Sequence, residues 1–194
     1  MEELPIDMKQ KIKTIAIQLM YQKGYHACSI SDIAKRAGIQ KSSIYYHYMS
    51  KEEILFDILK ETMESLNESL QNCLKDLEGA EERLVAMIRN HLSFHMVRQK
   101  EVIVSDSELR GLTADNLRSV IRMRDEYDTQ MKDIIERGIQ EGVFKNVNPR
   151  VMANAIVTMC TQISQWFNPL GSLSKDEIIE SITTMVFNGL KRDG

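Results

Sequence analysis

Residues 29–51 read SISDIAKRAGIQKSSIYYHYMSK, and the spacing of apolar residues in this stretch decides the fold. Ile30, Ile33, Ala34 and Ala37 recur at i, i+3, i+4 and i+7, one buried face of a helix. Ser29 stands before that face and Asp32 three residues later, the spacing of a capping box. Gly38 falls where the helix must stop, because glycine takes the left-handed C′ conformation without a Cβ penalty. Beyond the Ile39-Gln40 turn, a second short helix from about Lys41 has little to bury and many donors: Lys41, Ser42, Ser43, Tyr45, Tyr46 and His47. Such a helix is built to touch something. A helix-turn-helix with its second helix in a DNA major groove fits the pattern.

Working toward the N-terminus, Ile12, Ile15, Ala16 and Leu19 make one stripe of a helix from about Asp7 to Lys23, ended by Gly24. It should cross the helix-turn-helix pair and complete a three-helix head. Toward the C-terminus, Ser50 and Glu53 form a second capping box. The long helix they open carries Leu55, Leu59, Leu66, Leu70 and Leu77 to about Gly79, some 40 Å at 1.5 Å per residue. Further helical patterns cover 80–98, a shorter stretch through Arg110, 114–141 capped by Thr113 and ended by Gly142, and 149–167. The last of these starts at an Asn148-Pro149 cap and reads as apolar nearly all round. Ser174 and Glu177 cap a final helix. The expected fold is therefore all-α, with about nine helices. A three-helix head is joined by a long helix to an antiparallel helical body, with head and body divided at 1–50 and 51–194.

Composition agrees. Nine glycines and three prolines in 194 residues are too few for a turn-rich all-β chain. No apolar run reaches the roughly 18 to 20 residues needed to span a bilayer. The opening MEELPIDMKQK lacks the apolar core of a signal peptide, so a cytoplasmic protein with no membrane partner is expected. Cys28, Cys73 and Cys160 are far apart and form no CxxC pair, which argues against a metal cluster or a disulfide framework. Residues 1–51 hold eight Lys/Arg against four Asp/Glu, and the remainder 17 against 24. A head at +4 on a body at −7 suits a polyanion-binding module attached to something else.

The stretch GxxKSSIYYHYxSKEEI after SxxDIAKRAGI resembles the tetracycline-repressor (TetR) family of one-component transcriptional regulators over about residues 10–58. The resemblance implies a homodimer, two recognition helices on a palindromic operator, and a small-molecule pocket in the body. A looser likeness, in SELRGLTADNLRSVIRMRDEYDTQMKDIIERGIQEGVF and a helix ending in QWF, is similar to the branch that senses acyl-coenzyme A and represses fatty-acid or sterol catabolism. A regulator responding to a hydrophobic drug-like ligand, or to thiol oxidation at Cys160, is the alternative.

Position in the motif makes Lys41, Ser42, Ser43, Tyr45, Tyr46 and His47 the groove face, with Lys41 a base-edge or phosphate donor and Tyr45 a phosphate contact. Lys51 and the amide and hydroxyl of Ser29 should meet phosphates. Ile44 and Tyr48 should hold the helix to the head's own core. In the body, Arg110, Arg118 and Arg122 are candidates for a phosphorylated ligand, since guanidinium forks match phosphate. Salt bridges to Glu108, Asp115, Asp125 or Glu126 are the competing use. Phe94, Tyr127, Met159, Trp166 and Phe167 are candidates for walling an apolar channel. Ile156, Ile163, Ile182, Met185 and Val186 should form the dimer seam, because a helix apolar all round must be buried. His91 and His95 are four apart, a spacing two metal ligands would use, but no carboxylate lies at a diagnostic distance. Without paired carboxylates, a phosphate loop or a nucleophile motif, no enzyme activity, cofactor or metal is expected.

Overall fold

A computed structural model describes residues 7–192 of the chain; the first six residues of the apolar-poor N-terminus lie outside the described part. Among the described residues there are ten α-helical segments and one 3-10 turn. They are α1 (Met8–Ala27), α2 (Ile30–Ala37), α3 (Lys41–His47), α4 (Lys51–Leu74), α5 (Ala80–Val97), α6 (Gln99–Ser107), the turn Leu109–Gly111, α7 (Ala114–Gln140), α8 (Pro149–Thr161), α9 (Ile163–Trp166) and α10 (Lys175–Leu190). Extended pairing among them is limited to one isolated bridge, Phe144 with Lys191. No described helix is long and apolar enough to cross a membrane.

The chain folds as two compact units. The first comprises Met1–Thr62 with Lys100–Val120, and the second Met63–Gln99 with Ile121–Gly194. The first therefore reaches past residue 50 and also takes in a segment from the middle of the chain. Its core gathers Ile12 and Ala16 of α1, Ile33 and Ala34 of α2, Ile44 of α3, and Leu55 and Leu59 of α4. Val104 and Val120 from the later segment join them. Beside this core runs a charged seam. The Lys13 ammonium is buried against Glu61 and lies 3.6 Å from Asp57, and Lys9 lies 3.2 Å from Asp57. Neighbouring ammonium groups repay part of the cost of holding a carboxylate in a partly dry site.

In the second unit, Leu66 and Leu70 of α4, Leu84 and Leu92 of α5, Met131 and Ile135 of α7, and residues of α8 and α10 share one core. Helix α1 loses helical geometry at Gly24 (φ 80°, ψ 160°), as expected, but resumes to Ala27, and two further helices end differently from the sequence expectation. The long helix α4 stops at Leu74 rather than near Gly79, because Arg83 donates to the carbonyls of Leu74 (3.2 Å) and Leu77 (2.8 Å) and satisfies that terminus. The stretch 149–167 is not one helix apolar on all sides. It breaks at Gln162 into α8 and α9, and only the face bearing Ala153, Ile156, Cys160 and Ile163 is buried, while Val151 and Trp166 are exposed. Helix starts follow their caps: Asn148 accepts from the Val151 amide at 3.2 Å, and Ser174 and Glu177 form a complete capping box.

Candidate nucleic-acid interface and body sites

The helix-turn-helix is set by its caps. The Ser29 hydroxyl accepts from the Asp32 amide at 3.1 Å, and the Asp32 carboxylate accepts from the Ser29 amide at 2.9 Å and the Ser29 hydroxyl at 2.8 Å. Lys23 adds an ammonium 2.8 Å from the same oxygen. This ammonium, then the Ser29 donors, hold the Asp32 carboxyl well below the usual carboxylate range. Both Ser29 donors that the sequence offered to a phosphate are thus engaged inside the head. At the other end of α2, Gly38 has φ 70° and ψ 30°, and the Ile39 amide returns to the Ala34 carbonyl at 3.1 Å. The left-handed residue turns the chain so that α3 leaves in a new direction.

Two faces divide α3. Ile44 and Tyr48 are buried, and the Tyr48 hydroxyl donates to Asp57 at 2.6 Å. Burial, then this bond, raises the Tyr48 hydroxyl above its ordinary range. On the other face Lys41 and Ser42 are exposed, as are Tyr45 at 48% and Tyr46 at 86%. The Lys41 ammonium lies 5.7 Å from the Tyr45 ring centre, and the Tyr46 and His47 rings meet edge to face at 5.1 Å. Ser43 and His47 are half-buried at the border of the two faces. Met49, which follows the helix, is 86% exposed beside this surface.

Lys51 does not extend into solvent. Its ammonium donates to the carbonyls of Tyr25 (2.8 Å) and Cys28 (2.7 Å) and lies 4.1 Å from the Tyr25 ring centre. It ties the start of α4 to the corner between α1 and α2. From the other side of the same unit, Glu52 accepts from the Thr113 amide and the Asn116 side chain, each at 2.9 Å. No sequence pattern marks these partners, which are about sixty residues apart along the chain.

The body candidates fall into separate groups. Arg110 and Arg118 belong to the first unit and Arg122 to the second. Arg118 is paired with Asp115, the competing use foreseen for it, and Arg110 and Arg122 are exposed. Tyr127 and Phe167 are buried in the second unit's core, with Phe94 and Met159 packed against it. Trp166 is exposed instead.

The Tyr127 hydroxyl is 3.1 Å from His91 Nδ1, and His91 Nε2 is 3.0 Å from the Thr161 hydroxyl. The His95 ring stacks on His91 at 3.9 Å and its Nδ1 donates to the His91 carbonyl at 2.8 Å. Both nitrogens of His91 are therefore committed to hydrogen bonds. Burial pushes His91 well below the ordinary imidazole value and His95 down to about 4. On the outer side of this unit, α7 and α8 frame a cleft of about 580 Å³. Asp125, Asp128 and Lys132 line one wall, and Arg150, Asn154 and Thr158 the other.

The residues expected at a dimer seam divide as well. Ile156, Ile163 and Val186 fill the second unit's own core, and Ile182 packs against it. Met185 alone of the five faces outward. The exposed apolar residues of the same region are Val151, Trp166, Leu170 and Leu173.

Residues 14–58 match the family model for bacterial regulatory proteins of the tetR family, and residues 78–190 that for the tetracyclin repressor-like C-terminal domain. The fatty acid metabolism regulator protein of Bacillus subtilis is 31% identical over 144 residues, covering 71% of this chain and 74% of that protein. The transcriptional repressor KstR2 of Mycobacterium tuberculosis is 24% identical over 182 residues, 93% of this chain and 91% of that one. The crystal structure of AibR in complex with isovaleryl coenzyme A and operator DNA has a TM-score of 0.87 at 26% identity, over 93% of this chain and 98% of AibR.

Proposed function

The chain belongs to the tetracycline-repressor (TetR) family of transcriptional repressors, and we propose that it works as a homodimer that reads a palindromic operator with α3 and is released by an acyl thioester of coenzyme A. The observation that carries the DNA half is the division of α3. Ile44 and Tyr48 anchor it, while Lys41, Ser42, Tyr45 and Tyr46 stand on a face turned away from the head's core. Lys41 is the donor with reach for a base edge or phosphate. Tyr45, beneath the Lys41 ammonium, is placed to present its hydroxyl to a phosphate. In a two-fold dimer the two copies of α3 must be about 34–36 Å apart to enter successive major grooves. Lys51 and Ser29 serve this surface from behind, by fixing the corner that leads into α2.

The effector half is supported by kinship. AibR was solved with isovaleryl coenzyme A bound, and a regulator of fatty acid metabolism is among the relatives. Within the second unit, Phe94, Met159 and Phe167 supply apolar surface for an acyl chain, and exposed Arg122 a guanidinium for a phosphate. Release by thiol oxidation has less support. Burial pushes the Cys160 thiol up to about 12, and a protonated, enclosed sulfur is a poor nucleophile.

Two measurements test the reading. A duplex selected by the protein from a random-sequence pool should be palindromic and should be released by isovaleryl coenzyme A or a longer thioester. Release by a free fatty acid or an aromatic drug, with none by thioesters, would retire the effector assignment and leave the DNA assignment standing.

A further inference from the structure

We propose that the second unit reads a hydroxyl group on the effector's acyl chain, with His95 Nε2 as the atom that accepts its hydrogen bond. The inference rests on the reading of the effector as an acyl thioester, and it names the class of chain. What carries it is a lone-pair nitrogen set among hydrocarbon. His95 is 5% exposed and lies on the stretch of α5 whose Leu92 and Met96 belong to the unit's apolar core, with Phe94 packed against that core. The Phe94 and His95 ring centres are 5.9 Å apart.

The backbone decides which nitrogen accepts. A carbonyl oxygen cannot donate, so the 2.8 Å contact between His95 Nδ1 and the His91 carbonyl puts the neutral ring's one proton on Nδ1. Nε2 then carries the lone pair, and no hydrogen bond reaches it from the described residues. Its polar neighbours are engaged elsewhere. Both His91 nitrogens are taken, by Tyr127 and by Thr161. The His91 ring lies flat against His95, 3.9 Å away at an angle of 8°, and so offers it a face rather than a donor. Arg124 acts on His95 through its charge. Burial, then that charge, outweigh the Nδ1 bond and push the imidazole down to about 4. Near neutral pH, Nε2 therefore stays an acceptor.

An acceptor that cannot donate sorts acyl chains by one property. A hydroxyl gives it a partner. A methylene dries it and leaves it without one, and an oxo group sets lone pair against lone pair. A site that bonds a hydroxyl rejects the analogue lacking it far more strongly than an apolar site rejects one methylene. Stacking on His91 does not account for an imidazole here, because a phenylalanine would stack as well and bury no lone pair. The effector is then a hydroxyacyl thioester, held more tightly than an unsubstituted or oxo chain of the same length.

Release of a duplex selected from a random-sequence pool tests this on the full-length protein. The probes are coenzyme A thioesters of one chain length: unsubstituted, 3-oxo, 3-hydroxy and hydroxylated at the chain end. One of the two hydroxylated chains should give half-release at a concentration about tenfold lower than the unsubstituted and oxo chains. His95→Phe should erase that advantage by raising the concentration needed of the hydroxylated chain alone. His95→Gln, whose amide both donates and accepts, should bring the oxo chain level with the hydroxylated one. The nitrogen resonance of His95 Nε2 should move when the hydroxylated chain binds and not when the unsubstituted chain does. Release by the unsubstituted chain at a concentration equal to or below that of both hydroxylated chains would overturn the inference and leave the thioester reading standing. So would an advantage that survives in a folded His95→Phe protein, and the comparison on the parent decides the matter even if that variant does not fold. Release by none of the thioesters would overturn the thioester reading, and this inference with it.

Discussion

Lys41 at the start of α3 and Tyr48, the residue that caps its end, have opposite duties, and each duty predicts a different loss. Lys41→Ala should cut operator affinity about tenfold, the effect of losing about 1.4 kcal/mol, with the folded protein's stability unchanged. If its partner is a phosphate, the dependence of log Kd on log salt should also become shallower by about 0.9, which a titration at several salt concentrations measures. Tyr48→Phe should do the reverse. It leaves the Asp57 carboxylate without the 2.6 Å hydroxyl bond and should lower the unfolding free energy by about 1.5–3 kcal/mol in urea. The face that reads outward was legible in the sequence, since Ile44 is the apolar residue in a run of donors. The fate of Lys51 and Ser29 was not. Their charge and hydroxyl look the same whether the partner is a phosphate or a carbonyl of Tyr25, and only the fold brings that carbonyl to 2.8 Å.

At the scale of elements, caps were the readable features and pathways between distant residues were not. Ser29 with Asp32, Gly38, Asn148 before Pro149, and Ser174 with Glu177 all act where the sequence placed them, because a cap is satisfied within four residues of itself. Gly38 gives the sharpest test. Nothing lies within 4 Å of a Cβ added there, so Gly38→Ala meets no clash and pays only for a left-handed φ of 70°, about 1–2 kcal/mol. The melting temperature should fall modestly. Operator affinity should fall further than that loss explains if α3 leaves at a changed angle. Reading 149–167 as one helix went wrong for a related reason: apolar content alone does not say which side is covered. Gln162 breaks the run, and Trp166 ends on the outside. Neither outcome is visible until α5 is in place against α8 and α9.

For the molecule as a whole, the two buried imidazoles and the uncovered apolar surface make separate predictions. His91 and His95 stay neutral in the fold to lower pH than free imidazole does, His95 to about 4. Between the ordinary value of about 6.5 and that point the unfolded chain binds more protons than the folded one, so stability should fall as pH falls through that window. The Asp57 carboxyl, also held below its ordinary value, adds a loss that begins only in more acidic solution. Urea midpoints at pH 7.5, 6 and 4.5 should show the first decline, and His95→Gln should flatten it. The dimer is tested by charge placed on two kinds of surface. Met185 is 54% exposed and Ile156 only 5%, although both were expected at one seam. An aspartate at position 185 remains hydrated in the free protomer and is desolvated only when a partner covers it, whereas one at 156 must be buried by folding itself. Met185→Asp should therefore give a folded protein that sediments as a monomer and binds a single half-site weakly. Ile156→Asp should fail to fold at any concentration. A Met185→Asp protein that still sediments as a dimer would move the seam to other exposed residues of the same unit, with Trp166 and Leu173 the next to carry the charge.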